Sequence, residues 1–390
     1  MTSNPDRIIE KLNSVKLRLR SEGDAYAKKE ALELSKQLTA SLEEPQNTAL
    51  NLALAPLITI ATRIALNLDL FKLILDHGPV NSQNLATLSG SEELLIIRIL
   101  RSLAATRFVE EVGERTWKAT PITEVMATEE ISAGYRTTEM IMAAAGKAPQ
   151  WLKESGYRCP TDPHDGFIQY ALQTKLSVFQ LFNEMPSLAK DFNLFMGNTM
   201  GARKYWVDWF PVQERLINGA SQASPLLVDV GGGKGHDIAT FHSRYPNKGL
   251  LVLQDLAAVT DRVDGLDSSI KQMTYDFFTE QPVKGARAYF YHHILHDWPD
   301  QKCLEILGGL KKAMRPGYSK LIIHEMIIPE RGASTFHAVY DMAMMAFNSG
   351  MERSEKQWEE LLNKAGFEEI RFWLPKEEDA DGIVEAMLKE

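Results

Sequence analysis

The run Tyr289-Phe-Tyr-His-His-Ile-Leu-His-Asp-Trp-Pro-Asp300 puts His296 and Asp297 just past a short apolar stretch that reads as a strand. Imidazole is the side chain best suited to accept a proton near neutral pH. A histidine at the carboxyl end of a strand, where open α/β sheets carry their ligands, is therefore a candidate general base. A second chemical signal lies upstream. Leu226-Leu-Val-Asp-Val-Gly-Gly-Gly-Lys-Gly235 is a buried strand that breaks into a glycine loop and opens a helix. Gly231, Gly233 and Gly235 let the backbone turn sharply and approach a ligand where a Cβ would intrude. By itself such a loop is shared with dinucleotide-binding enzymes.

The charges around the loop narrow the choice. Asp255 closes the next strand, where a carboxylate can accept hydrogen bonds from both hydroxyls of a ribose. Asp229 precedes the loop and brings negative charge near a ligand's ammonium group. Acidic groups on both sides serve a pyrophosphate poorly but suit the amine and sulfonium of S-adenosylmethionine. Asp276-Phe277, after Met273-Thr-Tyr, offers a carboxylate for an adenine amine and a ring for the purine face. A plain turn or helix-cap carboxylate is the alternative for Asp276.

Positioning these groups requires alternating strands and helices. Leu226 to Val230, Leu250 to Gln254, Ala288 to Tyr291 and Leu321 to His324 read as strands with helical stretches between them, the pattern of a parallel sheet covered on both faces. The fold class expected is α/β, a Rossmann-like doubly wound sheet behind a mainly helical domain. The boundary is placed at 1–215 and 216–390, because the character changes after Pro225. Residues 121 to 215 are helical in pattern and rich in Met and aromatics, among them Met140, Trp151, Phe179, Phe182, Phe195, Trp206 and Phe210. Such stripes are usually core; the alternative is the wall of an apolar ligand pocket.

Further upstream, Ser82 to Leu88 and Ser91 to Ala105 read as helices. Strands Phe108 to Val112 and Thr116 to Ala119 follow, giving a helix-turn-helix with a wing. DNA recognition would want a basic second helix, but Glu92 and Glu93 balance Arg98 and Arg101, so a scaffold or dimerisation role is expected. Leu50 to Leu75 is apolar on nearly all sides and suits a subunit interface. Pro56, Arg63, Asn67 and Asp69 interrupt it and argue against a membrane span.

The 390 residues carry a formal charge of −9, with 44% hydrophobic and 24% charged residues, ordinary for a folded water-soluble protein and unfavourable for phosphate backbones or anionic lipid. Cys159 and Cys303 are too few for a disulfide framework and lack metal-ligand spacing, so free thiols in a reducing cytosol and no metal are expected. The first 45 residues lack the basic and apolar regions of a signal peptide, which agrees with a cytoplasmic location.

The sequence resembles the winged-helix plus Rossmann-like O-methyltransferases of plant phenylpropanoid and fungal secondary metabolism, from about Asn47 to the end. Val228-Asp-Val-Gly-Gly-Gly, Gln254-Asp-Leu, His296-Asp-Trp, Ile322-Ile-His-Glu325 and Gly350-Met-Glu-Arg-Ser354 occur in the family's order and spacing. The resemblance implies His296 as general base, with Glu325 and Glu352 bracketing its ring and Asp297 helping to position the acceptor. It implies S-adenosylmethionine held by Asp229, Gly231, Gly233, Asp255, Leu256, Asp276 and Phe277, and an acceptor pocket lined by Met196, Met200, Met344 and Asn348. It also implies a homodimer and a small aromatic or polyketide-like acceptor. One departure stands out: a lysine common four residues before the base is His292 here, which puts the usual cofactor contact there in doubt. Some fungal relatives keep the fold and the cofactor but catalyse dehydration or pericyclic ring formation, and at least some of them replace the base histidine.

Overall fold

Strands whose residues alternate between two buried faces, separated by capped amphipathic helices, form the larger of two compact units. The computed structural model describes residues 4–19, 25–199, 204–261, 263–376 and 379–388. Its units are 1–128 and 129–390.

In the first unit, α1 (Pro5–Leu19) and α2 (Ala25–Leu42) bury Ile8, Val15, Ala27 and Leu34 between them. Then come α3 (Pro45–Leu54), α4 (Pro56–Asn67), α5 (Leu70–His77), β1 (Val80–Asn81), α6 (Ser82–Ser89), α7 (Glu93–Ala105), the hairpin β2 (Val109–Gly113) and β3 (Thr116–Ala119), and α8 (Pro121–Met126). The strands form an antiparallel sheet, order β1-β3-β2, whose Trp117 is buried. Asn81 caps α6 by accepting from the Asn84 N–H, and Gly90 ends it in the left-handed conformation. Helix, helix and hairpin thus occur in the order read from the sequence.

The apolar stretch differs from its reading in one respect. Pro56 does not break it: α3 and α4 follow each other with only Ala55 between, itself right-handed helical. Pro45–Asn67 is therefore long and apolar enough to cross a membrane by length and composition, and most of it is exposed.

The second unit opens with α9 (Glu129–Glu154), α10 (Phe167–Leu172), α11 (Val178–Glu184) and α12 (Pro186–Thr199). It continues through β4 (Leu227–Val230), α13 (His236–Arg244), β5 (Leu251–Asp255), α14 (Ala257–Thr260), β6 (Ile270–Thr274), β7 (Ala288–His292), α15 (Asp300–Lys311) and β8 (Lys320–Glu325). The chain ends with β9 (Ile327–Ile328), α16 (Thr335–Asn348), β10 (Arg353–Ser354), α17 (Glu355–Ala365), β11 (Phe367–Trp373) and β12 (Gly382–Leu388). The compact units meet at Thr128/Glu129 rather than near residue 215: α9 packs on α10, α12 and α16, inside the unit that holds the sheet.

The large sheet has seven strands in the order β11-β12-β8-β7-β4-β5-β6, where the sequence offered four. From β8 to β6 the pairing is parallel, while β12 inserts antiparallel between β8 and β11. Tyr289, Tyr291, Leu321 and Ile323 face one core; Ala288, Phe290 and Ile322 face the other, with Trp206, Ile238 and Phe241. The Met and aromatic stripe resolves largely as core, with Phe182, Trp206 and Phe210 buried, although Met142 and Met185 are exposed. The chain enters the sheet at β4, winds outward through β5 and β6, then returns to β7 on the other side of β4. That reversal leaves a crevice beyond the carboxyl ends of β4 and β7, the place where open α/β sheets bind ligands.

Candidate active site

The glycine loop leaves β4 with Gly231, Gly233 and Gly235 at φ values of 70°, 58° and 79°. A Cβ on Gly231 would lie 2.6 Å from the Ile294 side chain and 3.8 Å from the Phe277 ring, so the loop, the segment after β7 and Phe277 converge. Asp255 docks the loop: Oδ2 accepts from the Gly233 N–H at 2.8 Å and Oδ1 from the Leu256 N–H at 2.7 Å. Leu256 itself is exposed. Asp276 is exposed as well and accepts from the Phe278 N–H at 2.9 Å, the turn role that stood as its alternative.

Asp229 is buried beneath the loop, its carboxylate beside Gly232, with no side-chain partner and only the Ile238 N–H in reach. Burial, with Asp237 and Asp255 nearby, holds its pKa well above the ordinary carboxylate value. A buried acid with no countercharge of its own, under a loop whose Gly233 borders open space, fits a cationic ligand close to the backbone, as S-adenosylmethionine is. His292, at the end of β7, sets Nδ1 2.7 Å from Asp237 Oδ2, while its buried Nε2 has no partner.

His296 sits in a tight 3-10 turn, Leu295–Asp297. Glu325, the last residue of β8, holds this turn: Oε1 accepts from the N–H groups of Ile294, Leu295 and His296 at 3.2, 2.6 and 3.2 Å. Its hydrogen bonds therefore go to the backbone and not to the imidazole that it was expected to flank. Glu352 does reach the ring, with Oε1 2.7 Å from Nδ1. Asp297 Oδ1 lies 3.6 Å from Nε2, at the edge of ion-pair distance. The ring of His293 stacks on that of His296, centroids 4.9 Å apart and planes at 20°.

Glu352 arrives from a loop that only glycine permits. A Cβ on Gly350 would stand 2.1 Å from the His296 carbonyl oxygen, and the Met351 N–H donates to that oxygen at 2.9 Å. Asp341 accepts from the Glu352 N–H at 2.9 Å. Next in the chain, the buried Arg353 donates to the carbonyls of Leu295 and Trp298 and to Asp300, tying the loop to the far side of the turn. Asp341, Arg353, Asp237 and Asp381, which sequence reasoning did not single out, stand around this candidate site, as does His293, which reads from the sequence as structural or solvent-facing. Arg353 lies within the Gly350–Ser354 motif; Asp381 carries no local signal.

Of the residues proposed for the acceptor pocket, Met344 is buried on α16. Asn348 is buried with its amide engaged: Nδ2 donates to the Asp297 carbonyl at 3.0 Å, and Oδ1 accepts from the Val178 N–H at 3.4 Å. It braces the turn instead of offering a free polar group. Met196 is half-buried on α12, and Met200 lies outside the described residues.

Burial dominates the electrostatics. It pushes the His296 imidazole below its ordinary value, although Asp297 and Glu325 oppose the shift. It lifts Asp297 to about 7 against the pull of His296, and Glu352 to about 8 against the pull of His293. His296 Nδ1 and Glu352 Oε1, 2.7 Å apart, can share one proton. When Glu352 is ionised and accepts from Nδ1–H, the Nε2 lone pair is free to take a proton; protonating Glu352 forces the hydrogen to Nε2 and blocks it.

Comparison with known proteins bears on this geometry. An O-methyltransferase domain family matches residues 212–368. The chain is 51% identical to the O-methyltransferase penC of Penicillium thymicola over 98% of this chain and 97% of that one. It is 53% identical to the O-methyltransferase asqD of Emericella nidulans, over 85% of this chain and 87% of that one. Among solved structures, LepI in complex with SAM superposes with a TM-score of 0.87 at 28% identity, covering 99% of this chain and 100% of that one. OxaC in complex with sinefungin and meleagrin gives 0.87 at 25% identity, covering 99% of each chain. With a glycine loop over a buried acid, a histidine–glutamate pair in the turn after β7 and relatives of this identity along nearly its whole length, the chain belongs to the S-adenosylmethionine-dependent O-methyltransferases of fungal secondary metabolism.

Proposed function

We propose that the enzyme methylates a hydroxyl, phenolic or enolic, of a flat and largely apolar secondary metabolite, with His296 as the general base. The observation that carries this reading is the 2.7 Å contact between His296 Nδ1 and Glu352 at the carboxyl end of β7, beside the crevice. S-adenosylmethionine supplies an electrophilic methyl group on a cationic sulfur and departs as a neutral thioether. Asp229 and the glycine loop would hold the cationic end of the donor, Asp255 with Leu256 its ribose, and Phe277 the face of its purine. A phenol of pKa ~10 is a weak nucleophile at neutral pH, so removal of its proton during attack speeds the reaction by a factor of ~100 to 10,000. The proton goes to His296 Nε2, Glu352 stabilises the imidazolium from Nδ1, and Asp297 faces Nε2. Bound there, the donor would supply its methyl carbon to the acceptor oxygen as its sulfur–carbon bond breaks, leaving a neutral thioether. Orientation of the two reactants supplies much of the rest of the rate.

An apolar acceptor is supported by the surroundings of the turn, which packs on α16 beside Met344, with Phe179 stacked 5.4 Å from Trp298. His296→Ala is expected to bind the cofactor normally by calorimetry and to lose at least ~100-fold in turnover. Wild-type-like turnover would refute the base assignment.

The likeness to LepI and to a structure described as a pericyclic reaction enzyme favours a second reading, in which the bound sulfonium acts as a fixed charge in a dehydration or pericyclic step. The products separate the two: methyl transfer yields one S-adenosylhomocysteine per turnover, and the second reading yields none. The exposed apolar side chains of α3 and α4, Leu50, Leu52, Leu57 and Ile60 among them, support a homodimer in which a second copy covers this face.

A further inference from the structure

His293 has no part in the chemistry above, yet its placement is costly and specific. It is a non-glycine residue at φ 52°, in the left-handed region, which a Cβ disfavours, and its N–H donates to the His324 carbonyl at 3.2 Å. That twist lays its ring on the ring of His296, centroids 4.9 Å apart and planes at 20°. On its other side, Nε2 lies 3.3 Å from Asp381 Oδ1, a carboxylate delivered by the chain entering β12. Strained backbone that persists beside reacting groups marks a position the surrounding structure holds for a purpose.

We propose that His293, paired with Asp381, is a positioning residue for the base: it covers one face of the His296 ring and sets a fixed positive charge against it, so that His296 remains unprotonated and ready to accept. The inference rests on His296 being the base. Both imidazoles charged at this separation would repel, and the pair with Asp381 decides which carries the charge. Burial works against an imidazolium at His293, but Asp381 prevails and raises it to about 9, while His293 is among the groups that lower His296. Other groups act on the same two rings. His296 is faced by Glu352 from the loop before β10, Glu325 from β8, Asp297 from its own turn and the Tyr340 ring from α16. Around His293 stand His292 at 4.4 Å and, more distantly, Glu352 and Glu325. Behind His292 come the His324 ring and Asp237.

The pH profile of kcat/KM tests the proposal. His293→Asn keeps a side chain that tolerates the left-handed backbone and removes the charge. Its acid limb is expected to move to higher pH by about one unit, a tenfold loss below the midpoint, because the charge that holds down both His296 and Glu352 is gone. Cofactor affinity should stay within about twofold of wild type, since the altered ring faces the base and not the glycine loop. A merely structural role would lower activity evenly across the profile, and an unmoved acid limb would overturn the proposal. A second measurement needs neither turnover nor a folded His293 variant. In nitrogen-15 spectra of the wild type, one imidazole should hold its proton to above pH 8, and in Asp381→Asn that signal should titrate below about pH 7. If no imidazole remains charged to that pH, or if Asp381→Asn leaves it unchanged, the pair does not act as described. Undiminished turnover in His296→Ala would instead sink the base reading while leaving this titration intact.

Discussion

Glu352 is buried where a carboxylate is least at ease, and its stability and its chemistry pull in opposite directions. Its pKa rises from the usual 4.5 to about 8 on folding, so the folded state binds its proton more tightly than the unfolded chain. The linkage sign follows: folding is favoured below the unfolded value, and that advantage is lost as pH rises toward 8. Asp297, raised to about 7, acts in the same direction. Glu352→Gln keeps an acceptor for Nδ1–H and removes the charge that burial opposes. We expect it to raise Tm, more at pH 9 than at pH 5, as a thermal scan at both pH values would record. Turnover should fall by about 100-fold or more, because the imidazolium formed in the reaction loses its counter-charge. A Tm change independent of pH would show that Glu352 is not carrying a strained charge. In the wild type, kcat/KM should decline as pH drops through about 8, where Glu352 picks up the blocking proton.

At the level of elements, the site is two loops pressed against each other. The turn after β7 hangs from Glu325 of β8, and the loop before β10 enters it through Gly350. Neither loop is held by local propensity. Gly350→Ala puts a Cβ where backbone already stands, so one loop must move; overpacking of this kind costs ~1 to 3 kcal/mol. The expected result is a lower Tm and a weakened His296–Glu352 contact, visible as a larger fall in kcat than in cofactor affinity. A variant with wild-type kcat would mean that the base does not depend on this approach. The glycine loop is braced similarly by Asp255, so Asp255→Ala should weaken cofactor binding while leaving the His296–Glu352 pair in place, measured by calorimetry against S-adenosylhomocysteine.

For the whole molecule, the open question of assembly is concentrated in α3 and α4. Leu52 is 74% exposed and Leu57 59%, on a segment that is apolar enough for a bilayer yet belongs to a chain with net charge −9. Burial of such a face by a second copy removes apolar surface from water without membrane insertion. Sedimentation velocity should find a dimer in the wild type and a monomer in the double variant Leu57→Glu, Ile60→Glu. Co-flotation of the wild type with neutral lipid vesicles would favour a membrane instead.

Much of the chemistry was legible along the chain because it resides in short motifs: the glycine turn after β4, the carboxylate after β5 and the histidine after β7 each follow a strand whose apolar run announces it. The missing strands failed for a physical reason. β6 lies at one edge of the sheet and exposes Lys271 and Gln272, and β11 at the other edge exposes Glu368 and Glu369, so neither shows a continuous buried run. β12 hides its own signal by carrying Glu385 into the core, where Arg215 and Lys320 pair with it.

The amino-acid order by itself determined the strand-to-glycine turn and the place of His296 just past a strand, since both depend on neighbours a few residues away and on backbone freedom that only glycine has. The tertiary structure alone decided which acids stand around that histidine. Glu325 turned to the backbone, Glu352 came to Nδ1, and Asp381 arrived beside His293 because β12 pairs antiparallel with β8. Those contacts join residues 29 to 88 positions apart in the chain, and their charge states follow from burial, a property that no short stretch of sequence possesses.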